Sequence, residues 1–158
     1  MSAAGAATSF LGVSEQAGLD GSYRTPRFEH ASVADAMRHG IFSCPADTSL
    51  REAARSMTEH HVHAVVVSDE PDGSPGAILS DRDLLGALLD YDGEERCLAD
   101  VADSDVGTVA SDLPLKEAAQ LMRERGVSHL IVRDARSGRP AGMLSILDVA
   151  GILAWGEV

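Results

Sequence analysis

Residues 34–89 of the chain read ADAMRHGIFSCPADTSLREAARSMTEHHVHAVVVSDEPDGSPGAILSDRDLLGALL. They decide the fold because residues 99–154 repeat them, as ADVADSDVGTVASDLPLKEAAQLMRERGVSHLIVRDARSGRPAGMLSILDVAGILA, at a constant offset of 65 and without insertion or deletion. Of the 56 aligned positions 19 are identical, against roughly 4 expected from ordinary residue usage. Two copies of one structural unit are the simplest inference.

The same succession of elements is predicted in both copies. Leu50, Ala53, Ala54 and Met57 recur at the spacing of one helix face, and the second copy repeats this pattern, which predicts an amphipathic helix. Short apolar runs stand before and after that helix, and a second helix ends the copy. The predicted order is β-α-β-β-α, from Ile41–Cys44, the helix at 50–57, Ala64–Val67, Ala77–Leu79 and Asp81–Leu89 in copy one, and Val106–Ala110, the helix at 115–122, Leu130–Val132, Gly142–Leu144 and Ile146–Ala154 in copy two.

Chain length predicts a shared core. A copy of about 55 residues buries only about 60% of its unfolded surface, so each copy is expected to need the other. We expect a flexible N-terminal arm at residues 1–27, since few large apolar residues offset its ordering entropy. The first repeat is expected at 28–89, an acidic linker at 90–97 and the second repeat at 98–158.

Charge and composition exclude several classes of function. The net charge of −12 disfavours a nucleic-acid polymer as partner, because its phosphates are repelled. No apolar run reaches the ~20 residues that span a bilayer, and the first 21 residues lack the pattern of a signal peptide. We therefore predict a cytoplasmic location without membrane contact. The two cysteines, Cys44 and Cys97, are consistent with a reducing compartment.

The most specific local signal is the entry to the last helix of each copy. Ser80 is followed three positions later by Asp83, and Ser145 by Asp148. This spacing is typical of a capping box, in which the two side chains satisfy free backbone N–H groups. A helix N-terminus also attracts phosphate, and a carboxylate beside it can accept from ribose hydroxyls. Capping and ligand binding are both open on the same atoms.

The repeat, the order of elements, the pattern of two apolar residues before Ser-x-x-Asp and the L-x-E-A-A-x-x-M helix resemble a tandem pair of cystathionine-β-synthase (CBS) domains, a Bateman module of the stand-alone bacterial type. The resemblance implies an α/β fold of two repeats about a pseudo-twofold axis, with grooves between them for AMP, ADP, ATP or S-adenosylmethionine as a regulatory ligand. It also implies a homodimer. The resemblance assigns ribose to Asp83 and Asp148, ribose or phosphate to Ser80 and Ser145, and the flanks of the ligand to Ser43, Thr108, His63 and His129.

The two copies differ at the predicted site. Copy one has Asp81 and Arg82 between the hydroxyl and the acid, whereas copy two has Ile146 and Leu147. Arg82 can neutralise a phosphate, so the Asp83 site is expected to bind first. Copy two has a glycine, Gly142, where copy one has alanine, which predicts a tighter backbone approach to a ligand in one site.

Other residues leave alternatives open. Arg38 and Arg133 either add positive potential near the sites or lie on solvated surface, and Trp155 is predicted to be a packing anchor or a dimer contact. The rival functions are an interaction module without nucleotide and a metal or redox sensor that uses the two cysteines and the histidines His60, His61 and His63. No catalytic motif is found, so an enzyme is not expected and no cofactor is predicted. An unidentified protein target stays open.

Overall fold

The computed structural model describes residues 9–11, 25–69, 74–90 and 92–156. In chain order its elements are β1 (Ser9–Leu11), α1 (Val33–Ala36), β2 (Arg38–His39), β3 (Ile41–Cys44), α2 (Leu50–His60), β4 (Ala64–Val67), β5 (Ala77–Ser80), α3 (Asp81–Leu89), a 3-10 turn (Gly93–Glu95), α4 (Leu98–Val101), β6 (Thr108–Ala110), α5 (Leu115–Arg125), β7 (His129–Arg133), β8 (Pro140–Ser145) and α6 (Ile146–Trp155). The described residues form two compact units, each built from two separate segments.

Unit 1 contains residues 9–11 and the described part of 41–106. Its sheet has the strand order β1-β3-β4-β5, in which β3 and β4 are parallel and the other pairs antiparallel. Helix α2 forms where the predicted apolar stripe lies, and its Leu50, Ala53 and Met57 are buried against Val65 and Leu79 of the sheet. Burial of this stripe stabilises the helix beyond its intrinsic propensity.

Unit 2 contains residues 25–40 and 107–156 of the described chain. Its sheet has the order β2-β8-β7-β6, with β6 and β7 parallel and the other pairs antiparallel. Helix α5 buries Leu115, Ala118 and Met122, and the sheet contributes Leu130 and Leu144 to the same core. The second unit therefore uses the same stripe and the same strands as the first.

The short helix that begins each sequence repeat packs in the unit that is formed mainly by the other repeat. Helix α4, from the second repeat, lies in unit 1, where Leu98 is fully buried and its N–H donates to the carbonyl of Thr48 at 2.9 Å. Helix α1, from the first repeat, lies in unit 2, where Val33 is fully buried and its N–H donates to Leu113 at 2.8 Å. The compact units therefore do not coincide with the repeats predicted at 28–89 and 98–158.

The predicted α/β class and the order of elements within each repeat are confirmed. Two strands were not predicted. Strand β1 falls inside the expected N-terminal arm and pairs with Ile41–Ser43, and β2 pairs with β8. The rest of the arm, apart from residues 25–27, lies outside the described residues. In the described part of the chain, every helix is too short or too polar to cross a membrane.

Candidate functional site

The Ser-x-x-Asp segments form capping boxes at the first turns of α3 and α6. Ser80 Oγ donates to Asp83 Oδ2 at 2.7 Å, and the backbone N–H of Asp83 donates back to Ser80 Oγ at 3.2 Å. In unit 2 the corresponding distances between Ser145 and Asp148 are 2.7 Å and 3.1 Å. In both boxes the backbone N–H of the serine also donates to Oδ2 of the aspartate. The capping prediction is confirmed in both repeats.

Capping occupies only one oxygen of each aspartate, and the second oxygen differs between the units. Oδ1 of Asp83 has no hydrogen-bond partner among the described residues, and Asp83 is exposed. Oδ1 of Asp148 lies 3.2 Å from Nε of Arg38, and the side chain of Asp148 is only 9% exposed. A carboxylate oxygen is thus open in unit 1 and covered by a guanidinium in unit 2.

Polar and charged groups surround Ser80 and Asp83 in unit 1. His63 directly precedes β4, and its Nδ1 lies 3.0 Å from Oδ2 of Asp81, the first residue of α3. The carbonyl of His63 accepts from the N–H of Asp81 at 2.8 Å, which fixes the strand end against the helix start. Arg82 is exposed, and its guanidinium has no partner in the described part of the chain. The predicted residues His63, Ser80, Arg82 and Asp83 are therefore brought together.

Unit 2 has an apolar counterpart at the same place. Ile146 and Leu147, the first residues of α6, are 56% and 62% exposed. His129 is paired in register with Ser145, and its Nδ1 lies 2.9 Å from Ser128 Oγ. The structure thus places His129 beside Ser145 and Asp148, while the charged pair of unit 1 is replaced by two aliphatic side chains.

The predicted residues on the first strand of each repeat lie farther from the capping boxes. Ser43 is buried on β3 and pairs in register with Val66 of β4. Thr108 is exposed on β6 and pairs with Ile131 of β7. In both sheets one strand separates these residues from the strand that ends in Ser80 or Ser145. Each is on the same sheet as its serine but not adjacent to it.

Arg38, for which the sequence left open a position near a site or on solvated surface, lies beside Asp148 with a side chain that is 64% exposed. It belongs to the first repeat in sequence but lies in unit 2, where β2 pairs Arg38 with Met143 and His39 with Gly142. The position 65 residues later is Asp103, which forms a bridge with Ile78 of β5 in unit 1. Alignment of the two repeats pairs an arginine at position 38 with an aspartate at position 103. Only the backbone pairing in the structure places each of them near a capping box.

Gly142 serves this strand pairing. A Cβ atom at position 142 would overlap the carbonyl oxygen of Arg38 and would stand 2.6 Å from Met37 Cε. The missing side chain therefore admits the backbone of β2, whereas the sequence suggested the approach of a ligand. Arg133, the other arginine considered, donates from Nη1 to the carbonyl of Gly138 at 3.1 Å in the turn before β8.

The histidines His60, His61 and His63 lie in three different environments. His60 ends α2 and contacts Phe42, with ring centroids 4.8 Å apart and ring planes tilted by 43°. His61 is the left-handed C-cap of α2, and His63 contacts Asp81. Among the described residues there is no group of three or more histidine, cysteine, aspartate or glutamate side chains that could hold a metal ion. His60 and His61 therefore lie at the C-terminal end of α2, apart from His63.

The two cysteines have different environments. Cys44 is buried in β3, and burial, together with the negative charge of Glu52, raises the pKa of its thiol. Cys97 is the N-cap of α4, and its Sγ donates to Oδ2 of Asp100 at 3.3 Å. The backbone N–H and the thiol of Cys97, with a smaller effect of the Arg96 charge, hold the pKa of Asp100 below its usual value.

A family model described as "CBS domain" matches residues 33–90 and 98–154, which are the two repeats. The chain belongs to the CBS domain family. The match at both repeats confirms the resemblance to a pair of CBS domains that the repeated motifs indicated. An uncharacterized protein of Methanopyrus kandleri, MK0525, is 30% identical over 121 residues, which cover 75% of this chain and 60% of that protein. The CBS pair thus spans less than two thirds of that relative.

Solved structures of other CBS proteins share the fold. The CBS domain pair of protein MJ0100, solved in complex with 5′-methylthioadenosine and S-adenosyl-L-methionine, has a TM-score of 0.70 at 21% identity, over 78% of this chain and 96% of that chain. The protein CBSX2, solved in complex with AMP, has a TM-score of 0.62 at 24% identity, over 76% of this chain and 93% of that chain. These CBS structures establish the fold of the chain.

Proposed function

We propose that this chain is a regulatory module that binds an adenosine-containing nucleotide through the serine and aspartate at the start of α3 and of α6. The candidate ligands are AMP, ADP, ATP and S-adenosylmethionine. The observation that carries the proposal is the duplicated Ser–Asp pair, in which one carboxylate oxygen is fixed by the cap and the other points away from it.

The chemistry of this pair suits a ribose. The two hydroxyl groups of a ribose are hydrogen-bond donors, and an ionised carboxylate is an acceptor-only group with room for several donors. Because Ser80 fixes the rotamer of Asp83, the open Oδ1 is held in place before a ligand arrives. A preorganised acceptor loses little conformational entropy on binding. The positive end of the helix dipole at the start of α3 and of α6 favours an anionic group of the ligand at the same place.

Family membership supports the ligand class. Two CBS proteins with the same fold were solved with adenosine derivatives, one with S-adenosyl-L-methionine and 5′-methylthioadenosine and one with AMP. The common part of these ligands is a nucleoside with a ribose, while the charge of the attached group varies. We therefore propose that the chain recognises the nucleoside, and the experiment below identifies the group attached to it.

Regulation would follow from a difference in ligand affinity between two conformations of the chain, since a ligand can shift an equilibrium only by that difference. We propose no catalytic role and no cofactor for the chain. We also propose that it acts in the cytoplasm and passes the signal to a protein target.

Thermal unfolding with each of the four ligands tests the proposal. A ligand at 100 times its dissociation constant stabilises by about 2.7 kcal/mol, which raises the midpoint by roughly 5–10 °C in a domain of this size. The shift should disappear in the double variant Asp83→Ala, Asp148→Ala. The matched control is the double variant Asp47→Ala, Asp112→Ala, which also removes two negative charges, from exposed positions outside both caps, and should keep the shift. No shift of the wild-type midpoint with any ligand would contradict the proposal.

A second candidate function is assembly of two copies, as the family resemblance predicts. Large apolar side chains are exposed on two equivalent helices, Leu85 and Leu89 on α3 and Leu153 and Trp155 on α6, with exposed fractions between 61% and 80%. Trp155 is thus no packing anchor within its own unit. Sedimentation velocity would show a dimer that Leu85→Glu and Leu153→Glu convert to monomer, whereas a wild-type monomer at all concentrations would exclude this candidate.

A further inference from the structure

Both oxygens of Asp148 accept hydrogen bonds within unit 2. Ser145 holds Oδ2, and the guanidinium of Arg38 lies at Oδ1 with a separation of 3.2 Å. The carboxylate is 9% exposed and the arginine side chain 64% exposed. The arginine therefore covers the oxygen that a ribose needs, while most of its own side chain is in solvent.

The position of Arg38 is built into the sheet. Strand β2 places Arg38 opposite Met143, two residues before Ser145, and Gly142 makes room for the β2 backbone. At the equivalent position of unit 1, Asp103 pairs with Ile78, two residues before Ser80. The two sites thus have opposite charges at the same place on the neighbouring segment.

Resting on the proposed function, we propose that Arg38 selects the ligand of the Asp148 site, which takes a phosphorylated nucleoside and discriminates against the unphosphorylated one. Because the side chain of Asp148 is only 9% exposed with Arg38 beside it, a ribose that donates to Oδ1 competes with the guanidinium for that oxygen. A phosphate on the same nucleoside offers the displaced guanidinium two acceptor oxygens in place of the single carboxylate oxygen that it contacts in Asp148. A nucleoside without phosphate breaks the ion pair and leaves Arg38 without an anionic partner, so its binding is weaker.

The Asp83 site is not expected to share this preference for a phosphorylated nucleoside. A ribose can bind Oδ1 of Asp83 without displacing a side chain, because no described residue covers that oxygen. Asp81 and Asp103 add negative charge on the helix start and on the neighbouring segment, and Arg82 offsets one of these charges. Like charges at short range disfavour a phosphate, so this site accepts the unphosphorylated nucleoside or a cationic derivative at least as well.

Titration calorimetry on the full chain tests the role of Arg38, with AMP and adenosine as the pair of probes. The Asp83→Ala background leaves the Asp148 site to be measured. Arg38→Met in this background keeps the length of the side chain but removes its charge and its donors. AMP affinity should fall by at least about tenfold, the value of one charge-assisted hydrogen bond. Adenosine affinity should rise, by roughly threefold, because Oδ1 of Asp148 is now uncovered.

The matched control is Arg136→Met in the same background. Arg136 lies in the turn before β8, at the far end of that strand from Ser145, and its loss changes the net charge equally. Both affinities should stay within about twofold of the background value. In the Asp148→Ala background, Asp103→Arg should raise the preference of the Asp83 site for AMP over adenosine.

The outcomes separate the two proposals. Opposite changes for AMP and adenosine support the role of Arg38, since a purely structural role would weaken both ligands alike. Equal loss of both ligands, unchanged AMP affinity, or binding of both ligands only at the Asp83 site overturns the role of Arg38 and leaves the proposed function standing. Absence of binding of every adenosine ligand to the wild-type chain overturns the proposed function itself.

Discussion

The backbone of Gly142 lies so close to the backbone of Arg38 that a Cβ atom at position 142 would overlap the Arg38 carbonyl oxygen. Gly142→Ala should therefore push β2 away from β8, because neither backbone can move aside without losing ladder hydrogen bonds. We expect a loss of about 1–3 kcal/mol in the free energy of unfolding, measured by urea denaturation. Arg38 would also be withdrawn from Asp148.

The control for this change is Gly151→Ala in α6. Nothing lies within 4 Å of a Cβ atom at position 151, and alanine is favoured over glycine within a helix by up to about 1 kcal/mol. This variant should be more stable than the wild type. Equal stability of Gly142→Ala and the wild type would contradict the close approach.

The caps of α3 and α6 should contribute measurably to stability. Ser80→Ala and Ser145→Ala each remove the hydroxyl that accepts from the aspartate N–H, and the expected loss is about 1 kcal/mol per site. Chemical denaturation at pH 7 measures it. Ser145→Thr keeps the oxygen and should lose less than Ser145→Ala; if the two variants are equally destabilised, the hydroxyl is not the stabilising group.

The thiols should differ in their reaction with iodoacetamide. Cys44 is 2% exposed and the pKa of its thiol is raised by burial, so it has little thiolate and little access to reagent. Cys97 is half-buried and should be alkylated first in the native chain. Mass spectrometry of peptides after timed labelling reads both sites. In Cys97→Ser, alkylation should require urea; rapid labelling of native Cys44 would be inconsistent with its burial.

Asp100 should make stability depend on pH. Its pKa is lowered in the folded chain, first by the backbone N–H of Cys97 and then by the Cys97 thiol. Because the folded pKa lies below the unfolded value of about 3.9, the stabilisation is complete above that value and is lost as the pH falls through the folded pKa. Asp100→Asn should thus be less stable than the wild type at pH 7.

Urea denaturation of both proteins between pH 7 and pH 2.5 measures this difference. The gap between wild type and Asp100→Asn should narrow as the pH falls below about 4. A gap that is constant over this range would show that the ionised carboxylate is not the stabilising form.

The sequence predicted the local features of each repeat. Helices α2 and α5 lie where the apolar stripes are, and α3 begins at Asp81, directly after the predicted cap. These features could be predicted because a helix face and an N-cap are set by residues within a few positions of one another. The Ser–Asp pairs of the candidate site were predicted for the same reason.

The exchange of the short helices and the contact of Arg38 with Asp148 could not be predicted. The two residues are 110 positions apart, and β2 has only two residues, too few for a period-2 pattern. Whether a solvated arginine contacts a carboxylate depends on strand pairing that no local signal encodes. The choice of Asp83 as the first site rested on Arg82 alone and remains a prediction, since Arg38 adds a cation to the other site.

The exchange of α1 and α4 affects the order in which the chain can fold during synthesis. Unit 1 lacks the buried Leu98 until the second repeat has begun to emerge from the ribosome, and unit 2 must keep Val33 available until its last strands are made. Neither hydrophobic core can close on the residues of a single repeat. Contacts of long sequence separation slow folding, so nascent chains would expose apolar surface of unit 2 until α6 has been translated.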